Sequence, residues 1–136
     1  MSANKKILIG VGLLVAWLAM KNYRALTAPP TIIGVRYLPG NYNAITIPPF
    51  GIYVLNEHLE NSNLINHELV HWQQYKAMGM LKYYATYLKE FFQYGYDAMP
   101  MELQARFNES ELCRANYSEC VRNGTAKTVT NKNFRV

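Results

Sequence analysis

The chain has few of the residues that build disulfide networks or nucleic-acid surfaces. Its 136 residues include only two cysteines and three histidines. The formal net charge of +5 comes from scattered lysines and arginines, with no basic run interleaved with aromatic side chains. Because nucleic-acid surfaces need clustered basic charge, we predict no nucleic-acid partner. The length supports one domain with a modest core, and therefore one site.

The two cysteines, Cys113 and Cys120, are too isolated to form a zinc site of their own, since no second cysteine or histidine pair lies near them. On one straight helix their Cα atoms would be separated by about 10.5 Å along the axis, beyond the limit of about 7 Å for a disulfide. A helix that ends near Asn116 would let them form a small clip in an oxidising compartment. Free thiols are the alternative.

Charged residues are absent from one stretch near the start, Ile7 to Met20, which Lys5 and Lys6 precede and Lys21 follows. As a helix this stretch spans about 21 Å, short of a hydrocarbon core of about 30 Å. Snorkelling lysines, flanking aromatic residues and local bilayer thinning can supply the difference. We predict that residues 1–27 form an uncleaved membrane anchor. A cleaved secretory signal and a buried soluble helix are the alternatives.

The very short basic amino terminus favours an anchor whose first residues lie in the cytoplasm. Residues from Ala28 onward are then expected outside the cytoplasm, on a single-pass membrane protein. Ala28-Pro29-Pro30 is typical of a stiff linker, because proline fixes φ and disfavours helix at the residue before it. We therefore predict that residues 28–136 form the folded domain.

The spacing of apolar residues changes once within this domain. Residues 31–55 are rich in Ile, Val, Tyr and Thr between Pro-Gly and Pro-Pro turns, which predicts three strands, near Ile32 to Tyr37, Ala44 to Ile47 and Ile52 to Leu55. From Asn63 the spacing is helical and predicts three helices, which run to Met78, from Leu81 to Gln93, and from Pro100 to about Asn116. The predicted fold class is α+β, with a short N-terminal sheet followed by three helices and preceded by one hydrophobic helix. The tail, residues 123–136, is expected to be irregular.

The first of these helices carries the pattern His-Glu-x-x-His at His67, Glu68 and His71. Residues i and i+4 share a helix face, so both imidazoles can bind one zinc ion at about 2.0–2.1 Å. Glu68 lies beside the ion and can take a proton from a zinc-activated water, which is general-base catalysis of hydrolysis. The alternative is an exposed helix face with two solvated histidines. Zinc is favoured because Leu69 and Trp72 would bury the back of the motif.

A catalytic zinc site needs a third protein ligand when water takes the fourth position, and two histidines with one glutamate are a known catalytic set. Glu102, just inside the third helix, is our candidate because a helix hairpin would return it beside the histidines. The alternative interpretation of Glu102 is a carboxylate in the first turn of the helix, where it interacts favourably with the helix dipole. His58 also lies nearby in sequence, but in a polar stretch where a surface histidine is the simpler interpretation.

Three segments together resemble the small zinc peptidases of the gluzincin group, particularly the minigluzincins. They are N-H-E-L-V-H-W-Q-Q-Y-K-A-M-G, the aromatic Y-Y-A-T-Y and P-M-E-L-Q-A-R, within about residues 44–107. The resemblance implies a zincin-like minimal metallopeptidase domain. In it His67, His71 and Glu102 would bind Zn²⁺ and Glu68 would be the catalytic base.

The resemblance also implies that the strand Ala44 to Ile47 pairs with an extended peptide or protein substrate. We therefore predict a membrane-anchored zinc peptidase. One alternative is a catalytically silent, zinc-stabilised membrane protein with a structural or assembly role. Another is a binding module whose aromatic helix, Tyr83 to Tyr96, contacts lipid or a partner protein.

Two supporting roles are left open by the sequence. Tyr94 or Tyr96, close to the glutamate helix, is a candidate for stabilising the oxyanion, although tyrosines in this chain are abundant and usually pack. Asp97 or Asn66 is a candidate for orienting a zinc-binding histidine, although each could equally cap or bridge a turn.

Overall fold

The fold is seen in a computed structural model, which describes residues 2–108 and 127–130. One long helix precedes three strands, three helices and a last strand. The elements are α1 (Ala3–Thr27), β1 (Thr31–Val35), β2 (Ala44–Ile47), β3 (Gly51–Leu55), α2 (Ser62–Met78), α3 (Met80–Tyr94), α4 (Pro100–Asn108) and β4 (Lys127–Thr130). Single 3-10 turns lie at 56–58 and 96–98. The α+β class is confirmed, with three strands of the sheet before the three helices and the hydrophobic helix before these strands.

The strands form one mixed sheet in the order β2-β3-β1-β4. Strand β1 runs parallel to β3 and β4, whereas β2 and β3 are antiparallel neighbours joined by a turn with a cis Pro48-Pro49 bond. Strand β2 is therefore an edge strand. The expectation that residues 123–136 are irregular is wrong at Lys127–Thr130, which pairs with β1. That partner lies far away in the sequence, so local patterning gives no sign of it.

Helix α2 covers the sheet with an apolar face, and together they form the core. Its first turn is capped by Asn61, whose side chain accepts a hydrogen bond from the Leu64 N–H at 3.2 Å. It ends at Gly79, which has a φ of +80° that favours glycine. The buried apolar residues of the core include Ile32, Ile52, Val54, Ile65, Leu69, Trp72 and Tyr75.

The predicted helix boundaries for α2 and α3 differ from the observed ones by about one residue. Helix α4 begins at Pro100 as predicted and is described to Asn108. Its predicted end near Asn116 lies outside the described residues, as do Cys113 and Cys120.

Helix α1 is long and apolar enough to cross a membrane, and none of its most apolar window is buried within the chain. Within the described part of the chain this helix is not buried, which disagrees with the alternative of a buried soluble helix. The contacts of α1 with the described part of the domain lie in the second half of the helix. The Tyr75 hydroxyl donates a hydrogen bond to Asn22 Oδ1 at 2.5 Å, and the Trp17 and Phe50 rings lie 6.0 Å apart.

Candidate metal centre

Helices α2 and α4 bring together the three predicted ligands. His67 Nε2 lies 3.1 Å from Glu102 Oε2, and His71 Nε2 lies 3.2 Å from Glu102 Oε1. The two Nε2 atoms are 3.3 Å apart. The three side chains each offer one donor atom within 4.8 Å of the others, so His67, His71 and Glu102 could hold one metal ion.

The local sequence explains this convergence. His67 and His71 are one turn apart on α2, which places their rings on one face. Glu102 is in the first turn of α4, and the Glu90 carboxylate fixes the start of that helix by accepting a hydrogen bond from Met101 N at 2.8 Å. Met101 and Ala105 are buried beside it, so the Glu102 side chain is directed to α2 with only 2% of the residue exposed.

Gln74 determines which nitrogen of His71 faces the cluster. Its side-chain nitrogen donates to Met101 O at 3.0 Å and to Gln104 Oε1 at 2.7 Å, which fixes the amide orientation. Its oxygen lies 2.9 Å from His71 Nδ1 and must accept a hydrogen bond from the Nδ1–H. A neutral His71 therefore carries its lone pair on Nε2, directed at the cluster.

The orientation of the donor atoms favours a bound metal ion. The Nε2 lone pair of His71 faces the Glu102 carboxylate, whose oxygens are also acceptors. Two acceptors at 3.2 Å repel unless a cation lies between them or a proton binds one of them. Both side chains are buried, so water cannot relieve that repulsion cheaply.

The pKa shifts describe the same competition between proton and metal. Burial raises the pKa of the Glu102 carboxyl, but the two imidazoles outweigh it and lower this pKa to about 2. Glu102 is therefore ionised at neutral pH. Burial lowers the pKa of His71, but hydrogen bonding to Glu102 and the nearby Glu68 charge raise it overall. In the metal-free chain a proton can thus take the position of the cation.

Glu68 lies in the same cleft and is buried. The Thr46 hydroxyl contacts its side-chain Oε2 at 2.5 Å and its backbone oxygen at 3.1 Å, so edge strand β2 holds this carboxylate in place. Burial raises the pKa of Glu68 despite the neighbouring histidines. A bound cation would lower it again, which suits a group that accepts and returns a proton.

Strand β2 and several tyrosines line the cleft, which has a volume of about 240 Å³. Tyr42, Tyr83, Tyr84, Tyr87 and Tyr96 line it with Glu68, His71 and Glu102. Burial, and secondarily the Glu102 charge, raise the pKa of Tyr87 and Tyr96 above the usual value. Both hydroxyls therefore stay protonated and can act as hydrogen-bond donors.

The other residues that the sequence suggested for the site lie at different distances from the cluster. His58 lies outside the cluster, in a 3-10 turn where its Nε2 is 3.5 Å from Glu57 Oε1. Tyr96 lines the cleft, whereas Tyr94 is half-exposed and does not. Asp97 contacts Arg106.

Asn66 is buried on α2, and Gln74 makes the contact that orients His71. Sequence reasoning missed Gln74 and Thr46. Gln74 lies three residues after His71, a spacing that meets on a helix and could have indicated it. For Thr46 the sequence carries no such signal, because the contact depends on how the strand docks on α2.

We expect Gln74→Ala to weaken zinc binding by about 10- to 100-fold, because the buried His71 Nδ1–H loses its acceptor and the ring loses its orientation. Competition with a chromophoric chelator would measure the change. Gln73→Ala is the matched control, since Gln73 is exposed on the same helix and should leave affinity unchanged. Equal affinity in both variants would contradict the orienting role.

Comparisons with family models, curated proteins and solved structures find no match for this chain. The gluzincin resemblance therefore stays a prediction that rests on the motifs.

Proposed function

We propose that the chain is a membrane-anchored, zinc-dependent peptidase. The observation that carries the proposal is the convergence of His67, His71 and Glu102 beside Glu68 in one cleft. A purely structural metal site would need only the three metal ligands. A buried carboxylate held next to them, on the wall of a cleft, supports hydrolysis.

Zinc is the proposed metal because of the donor types. Two imidazole nitrogens and one carboxylate oxygen form a set used by catalytic zinc, and three protein ligands leave one position open for water or substrate. Calcium and magnesium prefer all-oxygen sites, which this cluster is not.

His67, His71 and Glu102 would hold the zinc, which would supply a Lewis acid for the scissile carbonyl and for water. The chain's own residues perform the remaining steps. Glu68 accepts the proton from the attacking water and later returns it to the leaving amine. Thr46 keeps the Glu68 carboxylate in position. The protonated Tyr96 and Tyr87 hydroxyls in the cleft wall are candidates for donating to the oxyanion.

The substrate proposed is an extended segment of a peptide or protein. Strand β2 lines the cleft along its whole length, and it is the edge of the sheet. An edge strand offers unpaired backbone groups, to which an extended peptide can add as a further strand. Because Thr46 of β2 contacts the Glu68 carboxylate, a peptide added beside β2 would lie close to Glu68.

The proposed location is a membrane, through α1 as a single-pass anchor. Helix α1 has the length and composition to span a bilayer. Lys5 and Lys6 before the apolar stretch favour the cytoplasm for that end of α1, and we propose that the domain lies on the other side of the membrane.

The test is hydrolysis of a mixture of unstructured peptides by the full chain in vesicles, read by mass spectrometry. We expect defined cleavage products that disappear with a zinc chelator and return when zinc is added. The absence of products from the zinc-loaded chain across a diverse mixture would contradict the proposal, as would cleavage that survives complete removal of metal.

A further inference from the structure

Helix α3 presents its most apolar side to the outside. Leu81, Leu88 and Phe92 are 82%, 55% and 81% exposed. At 100° per residue they fall within about 20° of one direction, so they form one stripe, here called the outer face. The opposite side of α3 carries Tyr83 and Tyr87, which pack into the cleft and core.

This arrangement is the reverse of an ordinary surface helix. Such a helix turns its aliphatic side to the core and its hydroxyl-bearing or charged side to water. Single exposed leucines need no explanation, but a continuous stripe on one helix indicates a surface that is covered in use. In the part of the chain that the structure describes, nothing covers the outer face.

The outer face borders a turn that contacts the hydrophobic helix α1. The Tyr84 hydroxyl, at the border of the outer face, donates a hydrogen bond to Pro48 O. Phe50 lies two residues after Pro48, and its ring packs against Trp17 of α1 with the ring centroids 6.0 Å apart. The turn at 48–50 therefore connects α3 with the point where α1 leaves the domain.

The sequence of α1 places this junction near a bilayer surface. The apolar stretch of α1 ends at Met20, and Lys21 and Arg24 follow it. A bilayer that α1 crosses therefore ends near Lys21, whose side chain can reach the headgroups. Trp17 lies about 6 Å before Lys21 along the helix, so Trp17 and Phe50 lie near the level where aromatic side chains collect at membrane interfaces.

The charges beside the outer face favour the same partner. Lys82 and Lys89 both lie about 80–100° from it on one side, within reach of headgroups. The one acidic residue of α3, Glu90, lies on the far side and accepts a hydrogen bond from Met101 N. An apolar stripe edged with lysine is typical of helices that lie in the surface of a membrane containing anionic lipid.

We propose that the outer face of α3, with Phe50 and Trp17, lies in the interfacial layer of the bilayer that α1 crosses. This inference rests on the membrane anchoring in the proposed function. Because Ile47 and Tyr84 line the cleft and adjoin the Pro48 contact, one end of the cleft then opens at the membrane surface. The substrate segments would be those that lie against that surface.

The test is photolabelling of the full chain by lipid. The chain is reconstituted in vesicles of phosphatidylcholine with a minority of phosphatidylglycerol, doped with a lipid that carries a photoactivatable group near the headgroup end of its acyl chain. Labelled peptides are mapped by mass spectrometry. We expect label on α1 and also on residues 81–92 and the Phe50 turn.

Two variants sharpen the measurement. Leu88→Glu combined with Phe92→Glu should lower labelling of α3 about tenfold, because it removes the apolar contact and adds charge. Leu103→Glu, at a half-exposed leucine of α4, should leave it unchanged. The zinc content of both variants is measured as a control, and a parental value indicates that the fold and the metal centre are intact.

Label on α1 alone would overturn this inference and leave the proposed peptidase standing. Cross-links between two copies of α3 in place of lipid label would also overturn it, in favour of a dimer. If neither α1 nor α3 were labelled, the membrane anchoring by α1 would be contradicted as well. Zinc-dependent peptide cleavage is measured separately and does not depend on either labelling result.

Discussion

The Glu68→Gln variant will retain its metal and lose hydrolysis by about a thousandfold. General-base catalysis contributes roughly a hundred- to ten-thousandfold, and glutamine cannot accept the proton of the attacking water. The substitution keeps the shape of the side chain. The glutamine oxygen can still accept the Thr46 hydrogen bond, so the packing around it is preserved. Rates of peptide cleavage at saturating zinc, with zinc content measured on the same samples, give the comparison.

Glu60→Gln is the matched control, because Glu60 is exposed and outside the cleft. It should match the parent chain in rate and metal content. If Glu68→Gln cleaved peptides at the parental rate, Glu68 would not be the base. If the parent had no activity and Glu68→Gln had full biological function, the silent structural role would be the better account.

Replacing Glu102 with Ala will weaken zinc binding by at least about a hundredfold. Structural zinc sites bind with about 10–16 kcal/mol, and removing one of three protein ligands forfeits a large share of such an energy. The loss also leaves two imidazoles facing each other at 3.3 Å without a counter-charge. Competition with chelators of known affinity would measure the change in dissociation constant.

Two controls separate ligand loss from damage to α4. Leu103→Ala, at the neighbouring exposed position, should bind zinc as the parent does. Glu102→Asp keeps the charge on a shorter side chain and should fall between the parent and Glu102→Ala. Parental affinity in Glu102→Ala would show that the carboxylate is not a ligand.

The sequence predicted the fold class, three of the four strands that the structure describes, and the residues of the candidate metal cluster. The strands and the histidine pair depend on short-range spacing. The i, i+4 histidine pair defines its own geometry on a helix. Glu102 could be placed because the intervening chain has room for one helix and two turns. These predictions needed no knowledge of how the sheet docks on α2.

The features that depend on long-range packing escaped prediction. Strand β4 pairs with β1 across most of the chain, and its four residues carry no decisive pattern. Thr46 meets Glu68 only because β2 lies beside α2. The aromatic content of α3 was visible, but which side faces outward is set by the tertiary contacts of its tyrosines.

The central claim is that one cation is held jointly by two imidazoles from α2 and a carboxylate from α4. Zinc-edge X-ray absorption on the zinc-loaded full chain tests it most directly. The account predicts one tightly bound zinc per chain, with imidazole scattering and nitrogen and oxygen neighbours at about 2.0–2.2 Å. A sulfur shell at about 2.3 Å, which would implicate the cysteines, or a spectrum without imidazole scattering, would contradict it.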